Sequence, residues 1–200
     1  MKKIFHLLLI VSLVFSYAVI PTSSAKAEGL DDLIISEYVE GSSFNKALEI
    51  YNGTGEDVDL SAYTLELYSN GSVEPSRSES LTGTLASGEV YVVSDSQAGE
   101  EIQSVTDLTS GVTGFNGDDV LILKNENGVI DSIGQVGGND TFGEDVTLVR
   151  QPEVLNGDQD PTDEFQVSEE WDMYAKETYG YLENYEVPEE EEVELQTIAE

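Results

Sequence analysis

Short β-type runs, several of them alternating apolar and polar residues, recur along most of the chain and are separated by turn residues. The first covers residues 33–39, followed by 47–51, which ends at Asn52-Gly53. Residues 63–68 end at Asn70-Gly71, and residues 90–93 follow Ser87-Gly88. Residues 119–123 and 129–133 flank Asn125-Glu126-Asn127-Gly128, the pattern of a hairpin, and 146–149 form the last clear run. A period of two over four to eight residues predicts strands, with one face buried and the other wet. Residues 98–105 carry a weak helical pattern, and 72–80, polar and holding Pro75, predict a loop. Seven or so strands without a long helix predict an all-β sandwich or barrel in a single domain.

The N-terminus departs from this pattern. Lys2 and Lys3 precede a nearly unbroken apolar run over residues 4–20, and Ala25-Lys26-Ala27 follows Pro21. A charged start, an apolar middle and an A-x-A site predict a secretory signal peptide over 1–27. At about 17 residues the run sits at the short edge for a bilayer span of roughly 20. Export leaves residues 28–185 as the β-sandwich and 186–200 as an acidic, disordered tail, with Glu189, Glu190, Glu191 and Glu192 in a row. The expected location is extracellular, with no membrane attachment after cleavage.

Charge then narrows the chemistry. The chain holds 8 Lys+Arg and 41 Asp+Glu, a net charge of −33, and losing Lys2, Lys3 and Lys26 takes it to −36. Nonspecific affinity for nucleic acid comes from cations displacing counterions, so direct nucleic-acid binding is not expected. The one histidine is His6, inside the signal, and there is no cysteine. Catalytic triads, cysteine–histidine chemistry, histidine bases and ordinary zinc sites are thereby removed from residues 28–200. Stability must come from the core or from bound ions; a chain of about 170 residues buries roughly 68–70% of its unfolded surface. Paired carboxylates can cleave glycosides, but so many acids make close pairs inevitable, and the sequence singles out none. No enzyme activity is expected.

Calcium prefers six to eight oxygen ligands and is abundant outside cells. Asp158, Asp160 and Asp163, with Glu164 behind, form the first candidate loop, although the spacing is not that of an EF-hand. Glu37, Glu40, Asn45 and Glu49 form a second cluster of oxygen donors; the plainer expectation is that Glu37 and Glu49 lie on exposed strand faces beside Lys46. Trp171, Tyr174, Tyr179, Tyr181 and Tyr185 are expected to dock the terminal segment onto the sandwich, with wet hydroxyls.

Four segments together resemble the lamin tail domains of bacterial extracellular proteins. They are Ile35-Ser36-Glu37-Tyr38-Val39-Glu40-Gly41-Ser42-Ser43 running into Asn45-Lys46-Ala47-Leu48-Glu49-Ile50-Tyr51-Asn52; Val58-Asp59-Leu60-Ser61-Ala62-Tyr63-Thr64-Leu65; Leu85-Ala86-Ser87-Gly88-Glu89-Val90-Tyr91-Val92-Val93; and Phe115-Asn116-Gly117-Asp118-Asp119-Val120-Leu121-Ile122-Leu123 with Gly128-Val129-Ile130-Asp131-Ser132-Ile133-Gly134. The likeness extends from residue 33 to about residue 182. It implies an immunoglobulin-like β-sandwich and a non-catalytic accessory role in targeting or protein interaction, with an extracellular protein or cell-surface component as partner. In secreted nucleases of this type a catalytic domain follows the module; here an acidic tail is expected in its place. The alternatives are a calcium-dependent structural or matrix protein, or a component of an extracellular nuclease.

Overall fold

The computed structural model describes residues 29–187; the expected signal peptide and residues 188–200 lie outside them. Twelve strands follow in order: β1 (Ile34–Glu40), β2 (Lys46–Tyr51), β3 (Val58–Asp59), β4 (Thr64–Tyr68), β5 (Arg77–Ser80), β6 (Thr84–Leu85), β7 (Val90–Ser94), β8 (Leu108–Thr109), β9 (Val120–Asn125), β10 (Gly128–Ile133), β11 (Val146–Arg150) and β12 (Trp171–Ala175). A six-stranded sheet runs β12-β11-β1-β2-β7-β8, a four-stranded sheet β10-β9-β4-β5, and β3 pairs with β6. Every pairing is antiparallel except β7 with β8. This is the expected immunoglobulin-like β-sandwich.

The main core lies between the two larger sheets. Leu33, Ile35, Tyr38, Leu48, Ile50, Val93 and Leu148 on the six-stranded side meet Leu65, Leu67, Leu121, Leu123, Ile130 and Ile133, with Phe115 and Trp171. In β1 these inward residues do not keep strict alternation, since Ile35 and Tyr38 are three apart. A β-bulge supplies the missing step: Ile35 pairs with Ile50 and Glu37 with Glu49, leaving Ser36 as the extra residue. The bulge resets the phase so that Tyr38 faces inward. There it stacks on Phe115, with ring centroids 4.5 Å apart.

The expected runs become β1, β2, β4, β7, β9, β10 and β11, and the weak helical stretch becomes a single turn at Glu100–Gln103. In the Val58-Asp59-Leu60-Ser61 stretch Leu60 is buried, and Asp59 Oδ1 accepts the Ser61 amide at 2.9 Å. Gly117 has φ +97°, the conformation expected of the Asn116-Gly117 turn. Two elements differ from expectation. Residues 77–80 are an edge strand on β4 rather than loop, despite a wholly polar sequence, because the β4 backbone needs a partner whatever side chains that partner carries. β12, read from sequence as a docked aromatic segment, pairs with β11 from Arg150–Trp171 to Val146–Ala175.

The outer face of the six-stranded sheet is also covered, so β1 is buried at all seven positions instead of alternating. Residues 176–187, the terminal strap, cross this face. Leu182 joins Val39, Ala47, Val92, Ala98 and Ile102, while Tyr185 joins Leu30, Ile34 and Tyr51. Tyr185 meets Tyr51 edge-on at 5.1 Å, and Tyr174 packs on Tyr181 at 4.5 Å. The aromatic segment thus docks as expected, but its hydroxyls are not all wet: the Tyr179 and Tyr185 oxygens are buried and have no partner. Val187, beyond the expected start of the acidic tail, still packs against the strap's second cluster.

Truncating Leu121 to Ala, at the centre of the four-stranded sheet, should cost about 2–5 kcal/mol in urea unfolding. Val73→Ala, at a site 70% exposed, should stay within about 0.5 kcal/mol.

Candidate functional site

Two groups of buried polar residues are candidates for chemistry, and both adjoin the bulge in β1. The first centres on Asp131 and Arg150, neither side chain of which has any solvent exposure. Asp131 Oδ2 accepts the Ile35 amide at 2.7 Å and Arg150 Nη2 at 2.6 Å; Oδ1 accepts the Ser132 and Asp158 amides, both at 2.9 Å. Arg150 Nε donates to the Ile35 carbonyl at 2.6 Å, and Nη1 donates to Glu170 Oε2 at 3.1 Å. Its guanidinium lies 4.5 Å over the Trp171 ring. The backbone groups of Ile35, beside the register shift, thus find their partners in these two side chains. Burial pushes the Asp131 carboxyl up, while Arg150 and the three amides pull it down. Four donors fill the roughly four lone-pair sites of a carboxylate, a set that suits the ionised form.

The expected calcium loop packs onto this group. Gly157 passes so close that a Cβ there would lie 2.4 Å from the Ile130 carbonyl oxygen. Asp158 Oδ2 accepts the Ser132 hydroxyl at 3.1 Å and Oδ1 accepts the Asp160 amide at 3.0 Å. Asp160 Oδ1 in turn takes the Thr162 amide and hydroxyl, at 3.2 and 2.6 Å. Asp163 donates its own amide to the Asp160 carbonyl at 3.2 Å. Asp158 and Asp160 therefore act as turn caps. Among the described residues no group of three or more His, Cys, Asp or Glu side chains is placed to hold a metal ion.

The second group lies on the outer face of the six-stranded sheet. Glu37 and Glu49 face each other across β1 and β2 and are 1% and 0% exposed, contrary to the expectation of exposed strand faces. Their burial follows from the strap, whose Glu183 amide donates to Glu49 Oε2 at 2.6 Å. Ser36, the bulged residue, donates its hydroxyl to Glu49 Oε1 at 2.8 Å. Neither oxygen of Glu37 has a partner. Desolvation first, then the Glu49 charge, pushes the Glu37 carboxyl to about 9. Desolvation pushes Glu49 to about 7 against its two hydrogen bonds.

The other oxygen donors expected near this pair are dispersed. Glu40 binds Lys46 and accepts the Asp145 amide, and Asn45 Oδ1 accepts the Gly99 amide at 2.8 Å. Lys46 also lies 5.7 Å over the Phe115 ring, so it serves Glu40 rather than Glu37 or Glu49. Sequence reasoning missed the Asp131–Arg150 pair and did not single out the Glu37–Glu49 pair. A usable signal existed for the first: an Asp inside Val129-Ile130-Asp131-Ser132-Ile133 and an Arg closing Val146-Thr147-Leu148-Val149-Arg150 are ionisable groups in runs that must be buried, which requires each to be paired.

As acid–base machinery the Glu37–Glu49 pair is closed to any substrate, since the strap leaves its carboxyls essentially no solvent contact. Arg150→Met would leave Asp131 buried without its cation and should cost about 3–5 kcal/mol in denaturant unfolding. Arg150→Lys should recover little of this, because a single ammonium cannot reach the Ile35 carbonyl, Asp131 and Glu170 together. In thermal melts at matched ionic strength, calcium and magnesium should raise Tm equally; a rise specific to calcium would return Asp158, Asp160 and Asp163 to the role of ligands.

The sequence profile described as Lamin Tail Domain matches residues 26–137. No curated protein and no solved structure matches the chain at a significant level. The matched span holds β1 through β10, including the bulge, Glu37, Glu49 and Asp131, whereas Arg150, β12 and the strap lie beyond it. With more than half its length matched and both sheets of the sandwich in place, the chain belongs to the lamin tail domain family, an immunoglobulin-like family of binding and structural modules.

Proposed function

We propose that this protein is a secreted, non-catalytic binding module that engages a positively charged extracellular protein or cell-surface component. The observation that carries the reading is how the charge is distributed. The described residues contain five basic side chains, and four of them are held by acids: Lys46 by Glu40, Lys124 by Glu66, Arg150 by Asp131 and Glu170, and Lys176 by Asp145. The fifth, Arg77, has its guanidinium against Gly111. Apart from the buried Glu37, Glu49 and Asp119, most of the remaining carboxylates face water without counter-charge. Such a field steers cationic partners towards the surface and repels polyanions.

Export is supported by Lys2, Lys3, the apolar run and Ala25-Lys26-Ala27. A non-catalytic role is supported by residues 28–200 having neither histidine nor cysteine, and by the closure of the Glu37–Glu49 pair. Expression of the full chain should release a protein beginning at Glu28 into the medium, measured by intact mass. That protein should leave duplex DNA uncut with calcium, magnesium or manganese present, and should retain a partner from a cell-envelope fraction at low salt and lose it at high salt. Metal-dependent cleavage of DNA, or an intact N-terminus retained in the cell, would overturn the reading.

A further inference from the structure

Residues 176–187 cover two acids that have no counter-charge. Glu37 and Glu49 sit in register on neighbouring strands, and the strap closes over them, with Leu182 buried on one side and Tyr185 on the other. The strap's one hydrogen bond to the pair runs from the Glu183 amide, and Glu183 adopts φ +64°, a left-handed conformation that costs a non-glycine residue some strain. A strained turn is therefore held against a buried carboxyl group.

The surroundings decide what state that carboxyl group takes. On β1 the neighbour is the Ser36 hydroxyl; on β11 the residue in register with Glu37 is Val149. From the segment before β8 Asp107 acts on Glu49, and from the strap Glu183 does. Every one of these is acidic or neutral. Two ionised carboxylates buried side by side without a cation are untenable, since each would lose its hydration and repel the other. No group of three or more acids is placed there to recruit a metal ion, which leaves the proton as the neutralising species.

We propose that residues 176–187 form a proton-controlled cover, docked on the outer face of the six-stranded sheet while the Glu37–Glu49 pair carries protons and released when the pair ionises. Release would bare Val39, Ala47 and Val92, together with Ile34 and Tyr51, as an apolar sheet face. The sign follows from linkage. In the docked state Glu49 titrates at about 7 and Glu37 at about 9, against 4.5 for a solvated glutamate. The docked state therefore binds more protons than the open one. Docking is strongest below pH 4.5, weakens as pH rises through 7, and is lost as pH passes 9.

Amide hydrogen exchange tests this in the purified protein, with rates corrected for the intrinsic pH dependence and with Leu48 in β2 as the internal reference for global opening. Protection of the Glu183 amide should fall by up to about tenfold per pH unit between pH 7 and 9, the limit for one proton released, while Leu48 stays protected. Glu37→Gln, which mimics the protonated acid, should flatten that fall. Wild-type protection that stays level across the range would overturn the proposal, as would a Glu37→Gln protein whose protection falls as the wild type's does. Loss of protection at pH 6 on adding a chelator would also overturn it, in favour of a bound metal ion. Should the variant not fold, the infrared band of a protonated carboxyl in the wild type decides: its presence at pH 7 supports the proposal and its absence overturns it.

Discussion

Asp131 and Arg150 meet at the point where β1 changes register, and the two sheets are joined there by ionic and main-chain bonds as well as by apolar packing. Asp131 comes from β10 in the four-stranded sheet; Arg150 comes from β11 in the six-stranded one. Between them they satisfy both backbone groups of Ile35 and the amide of Asp158, and Arg150 also anchors Glu170 and the Trp171 ring. A buried ion pair is weak evidence for net stability, because desolvation offsets much of the attraction. Its strength here is as a constraint. Once Asp131 is buried, only an arrangement that brings Arg150 and three amides to it avoids a large penalty, and that arrangement fixes how β1, β10, β11 and the loop at residue 158 sit together.

The bulge that this pair accommodates sets up the outer face as well. It turns Tyr38 inward onto Phe115 and leaves Ser36 beside Glu49. A sheet with one wet face would tolerate Glu37 and Glu49 without difficulty. The strap changes their environment by laying Leu182 and Tyr185 over the same face. The two buried acidic groups therefore differ in kind: Asp131 is surrounded by donors and suits ionisation, whereas Glu37 faces another acid and suits protonation. Outside both, the surface carboxylates stay hydrated and give the module its strongly anionic character.

Legibility in the sequence followed the range of the interactions. Strands β2, β4, β7, β9, β10 and β11 could be read because a short apolar or alternating run is a local property, and the Asn125–Gly128 hairpin because turn chemistry is local too. The Arg77–Ser80 strand could not, since its four residues are polar and its pairing is dictated by the neighbouring β4 edge. β12 was visible as aromatic residues but not as a strand, because its partner lies more than twenty positions away. Composition brings Asp158, Asp160 and Asp163 together as oxygen donors but says nothing about where their lone pairs point; in the fold Asp158 and Asp160 accept from groups of their own loop.

The sequence by itself determined the all-β class, the family, the anionic surface and the removal of histidine and cysteine chemistry from residues 28–200, since each depends only on residue type and short-range order. The tertiary structure alone decided which acids are solvated, which are paired and which are buried without a counter-charge. Glu37, Glu49 and Asp131 are carboxylic acids within similar apolar–polar runs, and their states diverge only because folding brings a strap over two of them and an arginine to the third. Burial and counter-charge are properties of where distant segments end up.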